Sequence, residues 1–282
     1  MVKILTYTTD IPITMIGEMA GICYGTTDIT NHKKNFIRGI DCIRSRHGRT
    51  WEFPDIYMEI SGYSARVIRE FYTHIGGSPT RLQESTRYID MTNFDYIVPP
   101  SIKTDEDKEL YNMAMSNIKE TYNILKNKDV PKEDLAMLLP LGMETKIVVK
   151  MNLRTFVDMC SQRLCARAYW EYRKLMKEII STLEFYSDEW KILSQKEKLF
   201  ISKCELSGFC TEKNGCGLYP KKKVLNIDYS DYLETLTYND IKEKEERIEK
   251  TEYSDEQKDT YIDGLSGRAN YANERKMMIN DE

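Results

Sequence analysis

Histidine is scarce in this chain: among 282 residues only His32, His47 and His74 occur. They are far apart, and none forms a His-x-x-x-His or Glu-x-x-His pair, which excludes a zinc centre built on histidine. His74 stands just before a pair of glycines, where it can meet a ligand edge or phosphate, or simply face the dipole at a helix end. The longest apolar stretches fall well short of the ~20 residues that a membrane span needs. No secretory leader is read at the amino terminus, where Val2–Tyr7 is β-prone and then turns polar at Thr8-Thr9-Asp10. A complete Gly-x-Gly-x-x-Gly fingerprint is also missing, so a dinucleotide would not be held by a Rossmann turn. A net charge of −4 speaks against sequence-independent binding of a nucleic-acid backbone. Seven cysteines, an odd number, point to a reducing cytoplasm.

What remains is a hydrophobic content of 41%, enough for one large domain or two small ones, and 1–223 is read as one domain. Beyond it, 224–282 is a charged extension without sustained periodicity, either a surface helix or a solvated tail. The periodicities predict both strands and helices along this domain. Strands are expected over 2–7, 53–61 (Ile56, Met58 and Ile60 alternating) and 144–151. Helices are expected over 12–24 (Ile16, Met19, Ala20 and Cys23 inward), 31–43, 64–74 and 105–126 (Leu110, Met113, Ile118, Tyr122 and Leu125 inward). The longest runs uninterrupted over 152–183, since it contains neither glycine nor proline. On that helix Asn152 and Arg163 are eleven residues apart, close to three turns, and project from one face with Arg167 a turn further on.

Two segments read as a site. The first is Gly76-Gly77-Ser78-Pro79-Thr80-Arg81-Leu82-Gln83-Glu84-Ser85-Thr86-Arg87-Tyr88. Glycines let a backbone approach a ligand closely, hydroxyls and amides accept and donate, and two planar guanidinium forks suit a phosphate. An ordinary surface loop has the same composition. The second is Asn152-Leu153-Arg154 followed by Arg163-Leu164-Cys165-Ala166-Arg167-Ala168-Tyr169-Trp170-Glu171-Tyr172-Arg173. Its basic row is costly to bury without an anion, and a solvated edge is the plain alternative. A third feature is Cys204, Cys210 and Cys216, five residues between neighbours, with Cys165 or Cys160 upstream. Four thiolates suit tetrahedral zinc or an iron–sulfur cluster, although ordinary free thiols give the same pattern.

Taken together, the first two segments resemble the flavin-dependent thymidylate synthases (ThyX family). The family signature Arg-His-Arg-x-x-Ser-x-x-x-x-Ser-x-Arg-Tyr is matched at its end by Ser85, Arg87 and Tyr88. Ala20-Gly21-Ile22-Cys23-Tyr24, Leu139-Pro140-Leu141 and the spacing Asn152…Arg163 match in the same order, over roughly residues 1–220. The chain departs from the pattern where Ile75, Gly76 and Gly77 stand in register with Arg-His-Arg. It departs again at Thr80, at Phe53 after Glu52, at Ala136, at Gln83 and at Asp158. The resemblance implies an α+β fold, a mixed or antiparallel sheet packed by helices, with FAD as cofactor, NADPH and methylenetetrahydrofolate as co-substrates, and reductive methylation of dUMP to dTMP by a homotetramer. By motif position Arg163 would be catalytic. Gln83, Glu84, Ser85, Thr86, Arg87 and Arg81 would hold the nucleotide, and His74, Ile75, Gly76, Gly77, Asn152 and Asp158 the flavin. The departures leave two other readings open: modification of another pyrimidine nucleotide, or a nucleotide-binding protein without catalysis.

Overall fold

The computed structural model describes residues 1–26, 30–74 and 79–222. The chain divides into two units at Lys221–Lys222, so the extension expected over 224–282 lies outside the described residues, as do Ile75, Gly76 and Gly77. Four strands form one antiparallel sheet in the order β1-β2-β4-β3: β1 (Val2–Ile4), β2 (Asp55–Ser64), β3 (Thr80–Gln83) and β4 (Glu144–Asn152). In the β2–β4 register Ile56 opposes Met151, Met58 opposes Val149 and Ile60 opposes Ile147. All six side chains are buried on one face, as period-two alternation requires. The opposite face carries the cross-strand ion pairs Lys146–Glu59 (3.7 Å) and Lys150–Asp55 (2.8 Å).

The inner face is covered by α1 (Pro12–Gly21), α3 (Ala65–Phe71), α6 (Leu153–Arg163), α7 (Trp170–Tyr186) and α8 (Asp188–Gln195). On α7 the residues Tyr172, Leu175, Met176, Ile179 and Leu183 form a fully buried stripe at helical spacing. Burial of each such side chain stabilises by roughly 1.5–3 kcal/mol. Glu178 of the same helix accepts from the Val2 amide (2.7 Å) and the Tyr63 hydroxyl (2.5 Å), tying the edge strand down. At the start of α1, Glu189 accepts from the Ile13 and Thr14 amides (2.7 and 3.0 Å), satisfying donors that a helix leaves orphaned. α2 (His32–Arg44) crosses α1 so closely that a Cβ on Gly17 would meet Asn35 O at 1.7 Å, and one on Gly39 would meet Ile13 O at 2.0 Å. Only glycine permits that approach.

Four expectations need correction. The helix predicted over 152–183 is two helices: Asn152 ends β4 and caps α6, and residues 164–169 form a turn before α7. Tertiary contacts override propensity there: the Arg173 guanidinium donates to Ala166 O, and Arg66 lies over the Tyr169 ring at 4.8 Å. Asn152 and Arg163 therefore stand at opposite ends of α6, and Arg167 is off the helix. On α4 (Asp105–Lys126) Leu110 and Met113 face outward, 62% and 55% exposed. The inward stripe is Tyr111, Met115, Ile118, Tyr122 and Leu125, which with α5 (Lys132–Leu135) covers a smaller cluster around Met91, Phe94 and Met143. Cys23 is exposed, because α1 gives way to a 3₁₀ turn over Ile22–Tyr24. Finally, α3 ends at Phe71, so His74 follows the helix rather than closing it.

Candidate active site

Arg163 is the last residue of α6, and its guanidinium is held on four sides. Nε donates to His74 Nε2 (2.9 Å), Nη1 to Glu70 Oε2 (3.3 Å) and Nη2 to Thr73 Oγ1 (3.2 Å). Its fourth neighbour is the Tyr172 ring, whose centroid lies 4.7 Å from the guanidinium carbon. An acceptor at Nε2 must be unprotonated, and burial, with Arg163 and then Arg81 adding repulsion, holds the His74 pKa down at about 4. His74 is thus neutral near pH 7, its ring edge-on to Tyr172 at 6.0 Å. The Tyr172 hydroxyl is buried with no hydrogen-bond partner among the described residues, and burial pushes its pKa well up. A buried donor left unpaired costs about 1–3 kcal/mol, which makes it a group waiting for an acceptor.

Arg81 on β3 supports this cluster from behind. Its Nη1 donates to Phe71 O (3.0 Å) and His74 O (3.4 Å), and its guanidinium lies over Tyr72 at 4.5 Å. It closes the end of α3 and fixes the His74 backbone. Asn152 is likewise occupied, its Oδ1 accepting from the Thr155 amide at 2.9 Å as the α6 N-cap. Asp158, in the middle of α6, has its carboxyl pKa raised by burial, with Arg154 acting in opposition. Arg154 itself pairs with Glu52 at 2.6 Å.

The 83–88 segment lies elsewhere. Gln83 donates to Thr145 Oγ1 (3.3 Å), the Glu84 amide to Lys146 O (2.9 Å), and the Arg87 amide to Ser85 Oγ (3.3 Å). The Arg87 side chain is 63% exposed and paired with Glu133 of α5, while Lys132 donates to Tyr88 O at 3.1 Å. Thr86 lies between them, half-buried. Among the described residues no hydrogen bond or ion pair joins this segment to Arg163. Within one chain the fold brings together Arg163, His74 and Arg81, and keeps Arg87 apart.

The residues that motif reading passed over are Glu70, Thr73 and Tyr172. Tyr172 sits inside the aromatic stretch already singled out. Glu70 and Thr73 carry no sequence signal, because what selects them is the return of α3 beneath α6.

Cys165 is in the 164–169 turn, Cys204 in α9 (Lys203–Ser207), and Cys210 and Cys216 in the loop that follows. Among the described residues no three His, Cys, Asp or Glu side chains are set as a metal cage, and no helix is long and apolar enough to cross a membrane.

An antiparallel sheet with helices packed on it defines an α+β protein, and an arginine-centred polar cluster stands at the end of one of its helices. The family described as thymidylate synthase complementing protein matches residues 3–185, and the chain belongs to that family. It is similar to the flavin-dependent thymidylate synthase of Clostridium tetani, 28% identical over 207 residues that span 65% of this chain and 82% of that protein. The Saccharolobus solfataricus enzyme of the same name is 30% identical over 207 residues, spanning 70% and 73%. The Pyrococcus furiosus one is 31% identical over 188 residues, spanning 63% and 75%. A crystal structure of flavin-dependent thymidylate synthase ThyX from Helicobacter pylori, complexed with FAD and dUMP, superposes with a TM-score of 0.53. It covers 67% of this chain and 97% of that one at 15% identity, a likeness of fold.

Proposed function

We propose that this chain is an FAD-dependent thymidylate synthase that methylates C5 of dUMP in the cytoplasm, with methylenetetrahydrofolate as carbon donor and NADPH as hydride source. The observation that carries the reading is the Arg163 fork at the end of α6, oriented through Nε by a neutral histidine and backed by Tyr172. The residues present fit a flavin and a pyrimidine. Both ligands offer flat hydrogen-bonding edges, and the cluster offers a planar guanidinium, a neutral imidazole and an unpaired phenol. When bound, FAD supplies the transfer of the one-carbon unit and of hydride, chemistry that belongs to the cofactor.

The chain's own task is to make uracil C5 nucleophilic. A fixed cation at the N3–O4 edge stabilises the negative charge that develops there, and it costs no reorganisation when already oriented. Arg163 supplies that cation. Its tight contact is the Nε bond to His74 at 2.9 Å, whereas Glu70 and Thr73 hold Nη1 and Nη2 at 3.3 and 3.2 Å, contacts that a substrate can replace. Asp158, whose carboxyl pKa is raised by burial against the opposing pull of Arg154, stands where the family has an asparagine.

Arg87 anchors the phosphate, with Ser85, Thr86 and neighbouring Gln83 and Glu84 completing the cradle. Arg81 contributes by fixing His74. Because Arg87 and Arg163 do not meet within one chain, the pocket is assembled where subunits meet, in a homotetramer. Flavin absorbance of the purified protein, and turnover with dUMP against dCMP, test the reading. A colourless protein without turnover, or one preferring dCMP, overturns it.

A further inference from the structure

The segment over residues 201–222 has no apolar core: Cys210 is its sole buried residue, while Leu206 and Leu218 are exposed. Its regular structure is one five-residue helix and an isolated bridge between Cys210 and Lys221. Even so it folds back on the end of α6, where the Arg167 guanidinium donates to Asn214 O. A cavity of about 680 Å³ is lined by both parts. Gln162, Arg163 and Arg167 come from α6 and its turn, and Lys203, Thr211 and Glu212 from the segment. That volume falls in the range of small-molecule sites. Arg163 thus belongs both to the enclosed cluster with His74 and to the wall of this cavity.

The charges that line the cavity are unequal, three cations against the Glu212 carboxylate. Arg163 has Glu70 as a partner, whereas Lys203 and Glu212 form no ion pair among the described residues. One contact to a carbonyl leaves most of the Arg167 fork open. A concave surface in which one sign prevails focuses its field on an incoming ion of the other sign. Uracil held through N3–O4 at Arg163 carries its sugar and phosphate on N1, across the ring, so the nucleotide's phosphate leads away from that guanidinium. The anion that suits this cavity therefore belongs to a second ligand. We propose that the cavity seats the anionic end of the molecule that reacts with the nucleotide, two carboxylates held by Arg167 and Lys203. A planar fork and a point charge on separate elements suit two spaced, singly charged groups, and Glu212 opposes the denser charge of a diphosphate. Gln162 and Thr211 offer an amide and a hydroxyl to the peptide-like bond that joins such carboxylates to a ring system. The inference rests on the proposed function, in which that molecule is methylenetetrahydrofolate, whose glutamate end carries two carboxylates beyond an amide. Arg167 and Lys203 hold that end, and no covalent step passes through them.

The test is equilibrium binding to the full chain as purified, without oxygen, with tetrahydrofolate and tetrahydropteroate as probes; the two differ only in the glutamate. The wild type is expected to bind tetrahydrofolate about tenfold to a hundredfold more tightly, the range for charge-assisted bonds. Added salt should narrow that gap. Lys203→Gln and Arg167→Gln are each expected to shrink it and the double variant to close it, with flavin absorbance and the affinities for dUMP and NADPH as in the wild type. Arg167→Gln also frees Asn214, so Lys203→Gln, which breaks no side-chain hydrogen bond or ion pair among the described residues, gives the cleaner answer. Lys191→Gln, at an exposed cation on α8, is expected to change nothing. Equal affinities for the two probes in the wild type, no binding of either, or a gap unchanged in both variants would overturn the inference. A loss that falls on dUMP or NADPH would do the same, marking the anion as a phosphate. The two readings fail separately: a colourless chain without turnover that still shows the gap would fell the proposed function and keep this site.

Discussion

Arg163 and Arg87 carry the same guanidinium into two different regimes. The side chain of Arg163 is 21% exposed and is met by an imidazole, a carboxylate, a hydroxyl and an aromatic face. That of Arg87 is 63% exposed and meets one carboxylate, Glu133, itself 53% exposed. An exposed ion pair contributes about 0–1 kcal/mol and is screened by salt, so Arg87 is cheaply released to a ligand. The enclosed guanidinium is preorganised, and its loss disturbs several partners at once. Under the proposed function the contrast becomes a division of labour: a rigid charge for the reacting ring and a loose one for capture of the phosphate.

The largest expected effect is therefore that of Arg163→Ala. Removal of a preorganised donor of this kind typically costs on the order of 10²–10³ in turnover, and flavin absorbance should persist. Arg163→Lys should recover little, because a compact ammonium does not reproduce the planar fork that faces His74 and the substrate edge. Turnover near wild type in either variant would mean that the enclosed cluster is only a helix-end support. Arg87→Ala should act on affinity instead. A charge-assisted bidentate bond is worth roughly 1.5–3 kcal/mol, about one to two decades in the dissociation constant of dUMP. Deoxyuridine binding should barely change, and the urea midpoint should hold. Equal losses for nucleotide and nucleoside would erase the distinction between the two arginines.

That distinction was only partly legible in the sequence. Strand β2 was readable because Ile56, Met58 and Ile60 alternate, and α4 because Ile118, Tyr122 and Leu125 recur at helical spacing. The inward stripe of α4 was misjudged, since Leu110 and Tyr111 are both apolar enough to face in and only the packing partner decides. The division of 152–183 into β4's last residue, α6 and α7 was invisible. The turn holds no glycine or proline, and its carbonyl at Ala166 is satisfied by a side chain seven residues on. Motif order singled out Arg163 and His74, which the fold brings into hydrogen-bond contact. Periodicity could not supply Glu70 and Thr73, which reach Arg163 across about ninety positions of chain.

The His74 contact predicts a pH dependence confined to the enclosed cluster. Its folded pKa, about 4, is depressed below the ordinary 6.5, so the neutral form is favoured by folding. The stability it contributes is complete above about pH 6.5 and is lost as pH falls towards 4. Protonation also removes the acceptor for Arg163 Nε, with Arg81 and Arg163 repelling the new charge and Glu70 drawing Arg163 aside. The wild-type urea midpoint should fall across that window, and His74→Gln, which keeps an acceptor without titrating, should flatten the fall. An unchanged slope in His74→Gln would show that the imidazole does not hold Arg163.

The smallest effect is expected from Tyr172→Phe, and its sign is the informative part. The ring is fully buried on α7 and supports Arg163 from below, and phenylalanine preserves that face. The hydroxyl has no partner among the described residues, so its desolvation is uncompensated in the ligand-free protein. Its removal should leave the urea midpoint unchanged or raise stability by about 1 kcal/mol. If the hydroxyl is reserved for a bound ligand, the same substitution should weaken flavin or nucleotide binding by a comparable amount, so that the two effects oppose. Arg87→Phe at the exposed site offers no such opposition, because nothing there is buried while unpaired. A loss of ligand-free stability in Tyr172→Phe would mean that the hydroxyl already has a partner, and the enclosed cluster would then be complete without a ligand.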